Sequence, residues 1–281
     1  MRRRAFRPAA SRLKGAKAGR AEAGAGMQKP KWVIEKERGE RAESRATVWL
    51  FGLHAVRDAL LNPKRQRLRL VVTKNALDKL SDAVAVAGMT PELADPRAFP
   101  APLDPGSVHQ GAALEARPLD WGPLEEIAVT SRLLVILDRV TDPHNVGAVL
   151  RSAEVFGAGA VIAPHRHSAP ETGALAKSAS GALERQPYLR VGNLADAMGR
   201  LRKMGHVLVG LDGAAEMELG AALEGLSDRP VGLVLGAEGP GMRERTLATC
   251  DRLARIGAAG SFGSLNVSNA AAVALYAATR R

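Results

Sequence analysis

The chain has 281 residues, 46% hydrophobic but only 4% aromatic, so it can bury a core of Ala, Val and Leu and has room for two domains and a tail. Its single cysteine, Cys250, excludes an internal disulfide and a cysteine-based metal cluster and points to a reducing, intracellular compartment. The formal charge is +11, but fourteen of the 40 basic residues and five of the 29 acidic ones fall within residues 1–45; the tail carries about +9 and the body about +2, which excludes a generally basic body.

The first element in chain order is that arm, residues 1–46. MRRRAFRPAASRLKGAKAGRAEAGAG has almost no large apolar residues and is predicted to be a disordered basic tail. It reads as a plain solvated extension or as a phosphate-seeking tether for RNA, and the tether is favoured. Its first 21 residues lack an acid and are Arg- and Ala-rich, so an organellar transit segment is the third reading. No apolar run is long enough for a signal peptide or a membrane span, so no membrane partner is expected.

Residues 47–119 are expected to form a small α/β module. VWLFG reads as a strand, HAVRDALL as an amphipathic helix, RLRLVVT as a second strand and DKLSDAVAVAG as a helix closed by Gly88. PRAFPAPLDPGS is Pro-rich connection, and GAALEARPL resumes extended structure. His109, in the HQG turn, is either a loop histidine held by backbone hydrogen bonds or an RNA contact. Residues 120–130 read as a linker.

From residue 131 the pattern changes. RLLVILDRV is a continuous apolar run, as for a strand buried on both faces. The helix NVGAVLRSAEVFG, the strand AVIAP, the helices TGALAKSASGAL and NLADAMGRLRKMG, and the strands HVLVGLD and VGLVLGAE follow. This alternation predicts a mostly parallel sheet in residues 131–281.

Ligands gather at the carboxyl ends of such strands. Three polar, glycine-bearing loops fall there: TDPHNVG, the GAEGPG of residues 236–241, and residues 257–268. GAEGPG has the wrong spacing for a dinucleotide fingerprint, there is no phosphate-loop motif for a nucleoside triphosphate, and no His/Cys/acid spacing suggests a metal site.

LDRVTDPHNVGAVLRSAEVFGA, VLGAEGPGM and IGAAGSFGSLNVSNAAAVALY resemble, in order and spacing, the three motifs of the SpoU (TrmH-like) RNA ribose methyltransferases. The resemblance covers most of residues 48–280. GLHAVRDALL and HQG are similar to the small domain of the RlmB-type members, a ribosomal-protein-L30e-like RNA-binding module. The resemblance implies a SPOUT domain: a parallel sheet whose C-terminal segment is tucked into a deep trefoil knot, which ordinary pattern reading does not produce. It also implies S-adenosyl-L-methionine as methyl donor without a metal, a homodimer, and a cytoplasmic location, or a mitochondrial matrix if the arm is a transit segment. The implied RNA partner is 23S rRNA or a ribosome-assembly intermediate.

Carried over by position, Gly236, Ile256 and Leu265 fall on the family's cofactor-binding positions. Asn145, Arg151, Glu238, Ser264 and Asn266 fall on its polar catalytic positions, with Arg151 as the catalytic arginine. An arginine pKa of roughly 12.5 or above leaves almost none neutral at pH 7, so a phosphate- and alkoxide-binding fork is an alternative to a proton acceptor. Two plainer readings stand beside these: Arg151 paired with Glu154 on the helix surface, and Glu238 merely fixing backbone amides. Ser268 and Asn269 read as helix caps. The sequence departs from the family at Gly257 and Ala258, where Pro and Met are usual. A tRNA ribose methyltransferase and a non-catalytic RNA-binding or ribosome-assembly protein are the competing functions.

Overall fold

The computed structural model describes residues 46–257 and 265–280. The basic arm, Ala258 and Ser264 lie outside the described residues. What is described holds two sheets, and the first is small and mixed. Its strands β1 (Val48–Phe51), β2 (Arg67–Val72), β3 (Glu92–Leu93) and β4 (Ala112–Ala116) lie in the order β1-β4-β2-β3. β4 runs antiparallel to both β1 and β2, and β3 pairs parallel with β2. Helices α1 (Leu53–Leu61) and α2 (Lys74–Ala87) cover it. Ala55, Val56, Ala59 and Leu60 form the buried stripe of α1, as their three- and four-residue spacing requires. Thr73 caps α2 by accepting from the Ala76 amide, and Gly88 closes it in the left-handed region at φ 61°.

The second sheet carries the three loops. Strands β5 (Leu133–Asp138), β6 (Ala160–Pro164), β7 (Tyr188–Val191), β8 (Val207–Leu211), β9 (Val231–Gly236) and β10 (Arg252–Ala254) lie in the order β10-β8-β9-β5-β6-β7 and are all parallel. The expected buried strands are explained by coverage of both faces. Leu133, Val135 and Leu137 of β5 join one apolar cluster, while Leu134 and Ile136 join the opposite one. Helices α4 (Pro143–Val155), α5 (Gly173–Ala179), α7 (Leu219–Leu223) and α9 (Val267–Thr279) contribute to the first cluster. Helices α3 (Leu124–Ala128) and α6 (Leu194–Lys203) build the second, where α8 (Glu244–Thr249) packs beside α6.

Several elements depart from the sequence reading. Residues 120–130 contain α3, whose Leu124 and Ala128 are buried. Strand β7 and the short helices α7 and α8 are too brief to show a period. Helix α5 stops at Ser180, which is left-handed at φ 49°, rather than running on to Leu183. The cause is tertiary. Gly181 has φ 88°, and a Cβ there would fall 1.6 Å from Asp58 Oδ2 on α1.

That contact belongs to a seam between the two sheets. A Cβ on Gly173 would fall 2.4 Å from the Phe51 ring and the Trp49 carbonyl, so α5 lies directly on β1. Arg65, only 2% exposed, donates from Nη2 to Glu184 Oε1 (2.6 Å) and from Nε to Glu184 Oε2 (3.1 Å). It also donates to the Arg117 carbonyl (2.7 Å) and pairs with Glu171. Burial works against the Arg65 charge, but the two carboxylates outweigh it and its pKa is raised. With one guanidinium facing two carboxylates, burial pushes the Glu171 carboxyl up.

Candidate active site

From β5 the chain moves outward through β6 and β7 on one side, whereas β9 leads to β10 on the other. The boundary between β5 and β9 is therefore the topological switch point, and the loops leaving their carboxyl ends diverge there. Asp138 ends β5 fully buried. It accepts from the Arg243 backbone amide and from Arg243 Nε, both at 2.8 Å, which fastens the loop after β5 to the start of α8. Arg139 follows in the left-handed region at φ 63°, an uncommon conformation for a side-chain-bearing residue. Asp142 caps α4, accepting from the His144 amide at 2.9 Å, and Pro143 takes the first helical turn. Asn145 thereby sits at the loop–helix junction. Gly147 lets α5 approach: a Cβ there would lie 2.6 Å from the Ser178 Cβ.

After β9 the chain doubles back. Gly241 donates its amide to the Ala237 carbonyl at 2.9 Å, with Gly239 at φ 82° and Gly241 at φ 65°. A Cβ on Gly236 would fall 2.2 Å from the Gly241 backbone, so this turn alone demands glycine there. Glu238 projects from the tip. Its Oε1 accepts from Asn145 Nδ2 (3.1 Å), Asn266 Nδ2 (2.5 Å) and the Val267 amide (3.3 Å). Asn266 Nδ2 also donates to Asn145 Oδ1 at 2.9 Å. One carboxylate oxygen thus joins all three motif loops, while Oε2 has no partner among the described residues. This corrects the amide-only reading of Glu238, because side-chain donors reach it as well.

Asn266, not Ser268 or Asn269, caps α9; its Oδ1 accepts from the Ser268 amide (2.9 Å) and hydroxyl (2.5 Å). The reason is packing: Val267 enters the core, which fixes where the helix begins. The pairing of Arg151 with Glu154 is also overturned. Glu154 is taken by Arg185, which also binds Asp58, and Arg151 is exposed with no hydrogen bond or ion pair among the described residues.

Two of the three cofactor positions, Gly236 and Ile256, share one edge of the sheet. Ala254 of β10 pairs with Leu211 of β8, and Leu211 with Leu235 of β9, so Ile256 and Gly236 leave the same edge two strands apart. Ile256 is half-buried against the core, and Leu265, just before Asn266, is 46% exposed. Ser264 falls outside the described residues. Asp138 and Arg243 were not among the residues singled out from sequence. The signal available was an acid ending an unbroken apolar run, RLLVILD.

His109 is held as a loop histidine: its Nδ1 accepts from the Gly111 amide at 3.1 Å, and its ring stacks on Phe99 with centroids 4.1 Å apart.

A sheet with this strand order and a polar junction at its switch point defines a class, and comparison with known proteins identifies it. Residues 132–276 match the SpoU rRNA Methylase family, and the chain belongs to that family. It is similar to the 23S rRNA (guanosine-2′-O-)-methyltransferase RlmB of Vibrio vulnificus, at 39% identity over 83% of this chain and 96% of that protein. The RlmB of Pseudomonas syringae pv. tomato is 41% identical over 83% of this chain and 95% of its own length. Among solved structures, the SpoU methyltransferase AviRb from Streptomyces viridochromogenes superposes with a TM-score of 0.70 at 24% identity, over 87% of this chain and 91% of that one. An AdoMet-bound rRNA methyltransferase from Sinorhizobium meliloti gives 0.70 at 24% identity, over 88% and 90%. These two likenesses support the fold.

Proposed function

We propose that this protein is an RlmB-like methyltransferase that transfers a methyl group from S-adenosylmethionine to the ribose 2′-oxygen of a guanosine in 23S rRNA. One observation carries the reading: Asn145, Glu238 and Asn266, from three separated motifs, meet at the switch point of a chain similar to RlmB proteins over both sheets. S-adenosylmethionine, when bound, supplies its methyl group as an electrophile on a sulfonium. Gly236, Ile256 and Leu265 would hold it. Such residues suit adenosine, since Leu265 and Ile256 offer apolar surface while the backbone around Gly236 offers amides and carbonyls. Arg151, exposed and without a partner among the described residues, would fork onto the RNA phosphate and stabilise the 2′-oxygen as it loses its proton. Positioning of the ribose supplies of order 7 kcal/mol or more in well-aligned cases. Glu238 orders the site, and its Oε2 remains available to substrate.

The deep trefoil knot, the homodimer, Ser264 in the site and the basic arm as RNA tether are parts of the same proposal. So is the division into an RNA-binding module at 47–119 and a catalytic domain at 131–281. The RlmB relatives are bacterial, and a cytoplasmic location is proposed on that basis; no helix of the described residues is long and apolar enough to cross a membrane.

The test is nucleoside mass spectrometry of rRNA and tRNA from cells lacking the protein, with rescue by wild type and by Arg151→Ala. Loss of one methylated guanosine in 23S rRNA, restored only by wild type, is expected. A missing methylated ribose in tRNA alone overturns the substrate, and unchanged RNA together with no S-adenosylmethionine binding by calorimetry overturns the enzyme.

A further inference from the structure

The loop after β6, His165–Ser168, is not needed for the site described above, yet it is built with unusual care. Its backbone is pinned on several sides. The His165 amide donates to the Val191 carbonyl at 2.8 Å, Arg190 donates to the His165 carbonyl, and the Ser168 hydroxyl donates to the Pro164 carbonyl. The next residue, Ala169, donates its amide to the Val140 carbonyl (3.2 Å) and accepts from the Tyr188 hydroxyl at 2.7 Å. The loop is therefore stitched to the loop after β5, on the neighbouring strand. His167 is left-handed at φ 61°, and so is Arg139, in the loop after β5, at φ 63°. Such conformations persist in side-chain-bearing residues only where the surroundings over-determine them.

The rigid backbone presents polar side chains that have no partner among the described residues. Arg139, Arg166 and His167 are exposed, and none has a side-chain hydrogen bond or ion pair among the described residues. Elsewhere arginines are commonly matched to carboxylates, as Arg57 to Asp82, Arg69 to Glu92, Arg202 to Asp251 and Arg243 to Asp138. The acids along these two loops are all engaged: Asp138 by Arg243, Asp142 by the α4 cap, Glu171 by Arg65. A surface arginine needs no explanation alone. Two of them with a histidine, on neighbouring loops joined by a backbone hydrogen bond and beginning three residues before the α4 cap, offer donors suited to an anion.

We infer that Arg139, Arg166 and His167 bind backbone phosphates of the RNA strand that flanks the target ribose, a subsite that sets RNA affinity without taking part in methyl transfer. This rests on the RNA reading above. The test measures binding of the full chain to 23S rRNA transcribed in vitro across a salt series, with steady-state kinetics. Each lost phosphate contact lowers the slope of log K against log salt by about 0.7 for single-stranded RNA. Arg166→Gln should therefore flatten the slope by about 0.7 and Arg139→Asn/Arg166→Gln by about 1.4; asparagine tolerates the left-handed conformation. The double variant should raise the RNA KM several-fold, with kcat at saturating RNA and S-adenosylmethionine affinity unchanged. Arg229→Gln, at the amino edge of the same sheet, should behave as wild type. A wild-type slope in Arg166→Gln, or an equal loss in Arg229→Gln, overturns the subsite. Absence of RNA binding by the wild-type protein would instead sink the functional reading.

Discussion

Two polar clusters in this molecule use the same chemistry in opposite ways. At the seam, Arg65 is enclosed and every arm of its guanidinium is occupied by Glu171, Glu184 or a carbonyl. At the switch point, Asn145, Glu238 and Asn266 are bonded to each other with Glu238 and Asn266 exposed, and further along α4 the exposed Arg151 has no partner among the described residues. Enclosure makes a charge expensive to disturb and fixes geometry. Exposure leaves donors and acceptors for a ligand, at little structural cost.

The comparison can be broken from the seam first. Arg65→Met should destabilise the fold by about 3–5 kcal/mol, because two buried carboxylates lose their cation; urea denaturation followed by circular dichroism checks this. Glu184→Gln should be costly in the same assay and Glu171→Gln less so, since burial raises the Glu171 pKa while Arg65 pulls it down. Next, Arg151→Ala should lower turnover at least a hundredfold while leaving the unfolding midpoint within about 0.5 kcal/mol of wild type. Wild-type turnover would remove Arg151 from the mechanism. Glu238→Gln keeps the shape but weakens a charge-assisted acceptor, and should cost about 1–2 kcal/mol in kcat/KM.

A smaller effect sits at the amino edge of the second sheet. His206 is 3% exposed, with Nε2 3.2 Å from the Ser131 carbonyl, and burial lowers its pKa. Its folded-state value lies below the unfolded one, so its contribution is present above pH ~6.5 and is lost as pH falls through the folded pKa. Melting temperatures at pH 7.5 and 5.5 should therefore differ less for His206→Gln than for wild type. The smallest effect is at Cys250, whose thiol is pushed up to about 12 mainly by burial. Native protein should resist iodoacetamide at pH 8, and urea-unfolded protein should react.

The strands of the second sheet were legible because a strand buried on both faces writes itself as an unbroken apolar run, as RLLVILD and VGLVLG do. Helix α5 ends before the point its sequence predicts because Gly181 packs against Asp58, more than a hundred residues away, and local propensity carries no trace of that neighbour. The cap of α9 was misplaced for a related reason. Asn266, Ser268 and Asn269 can each accept from a helix amide, and only the burial of Val267 chooses among them. The candidate site residues come from the resemblance to a family. From residue chemistry alone, Arg151 and Glu154 three residues apart read as a pair, and the structure parts them by giving Glu154 to Arg185. Asp138 and Arg243 went unnoticed because 105 residues separate them in the chain.

Helix α5 is only seven residues long, yet it is wedged at both ends: Gly173 against β1, and Ser178 against Gly147 and the His144 carbonyl of α4. It bridges the two sheets, so the same seven residues set the distance from β1 to the turn that holds Asn145.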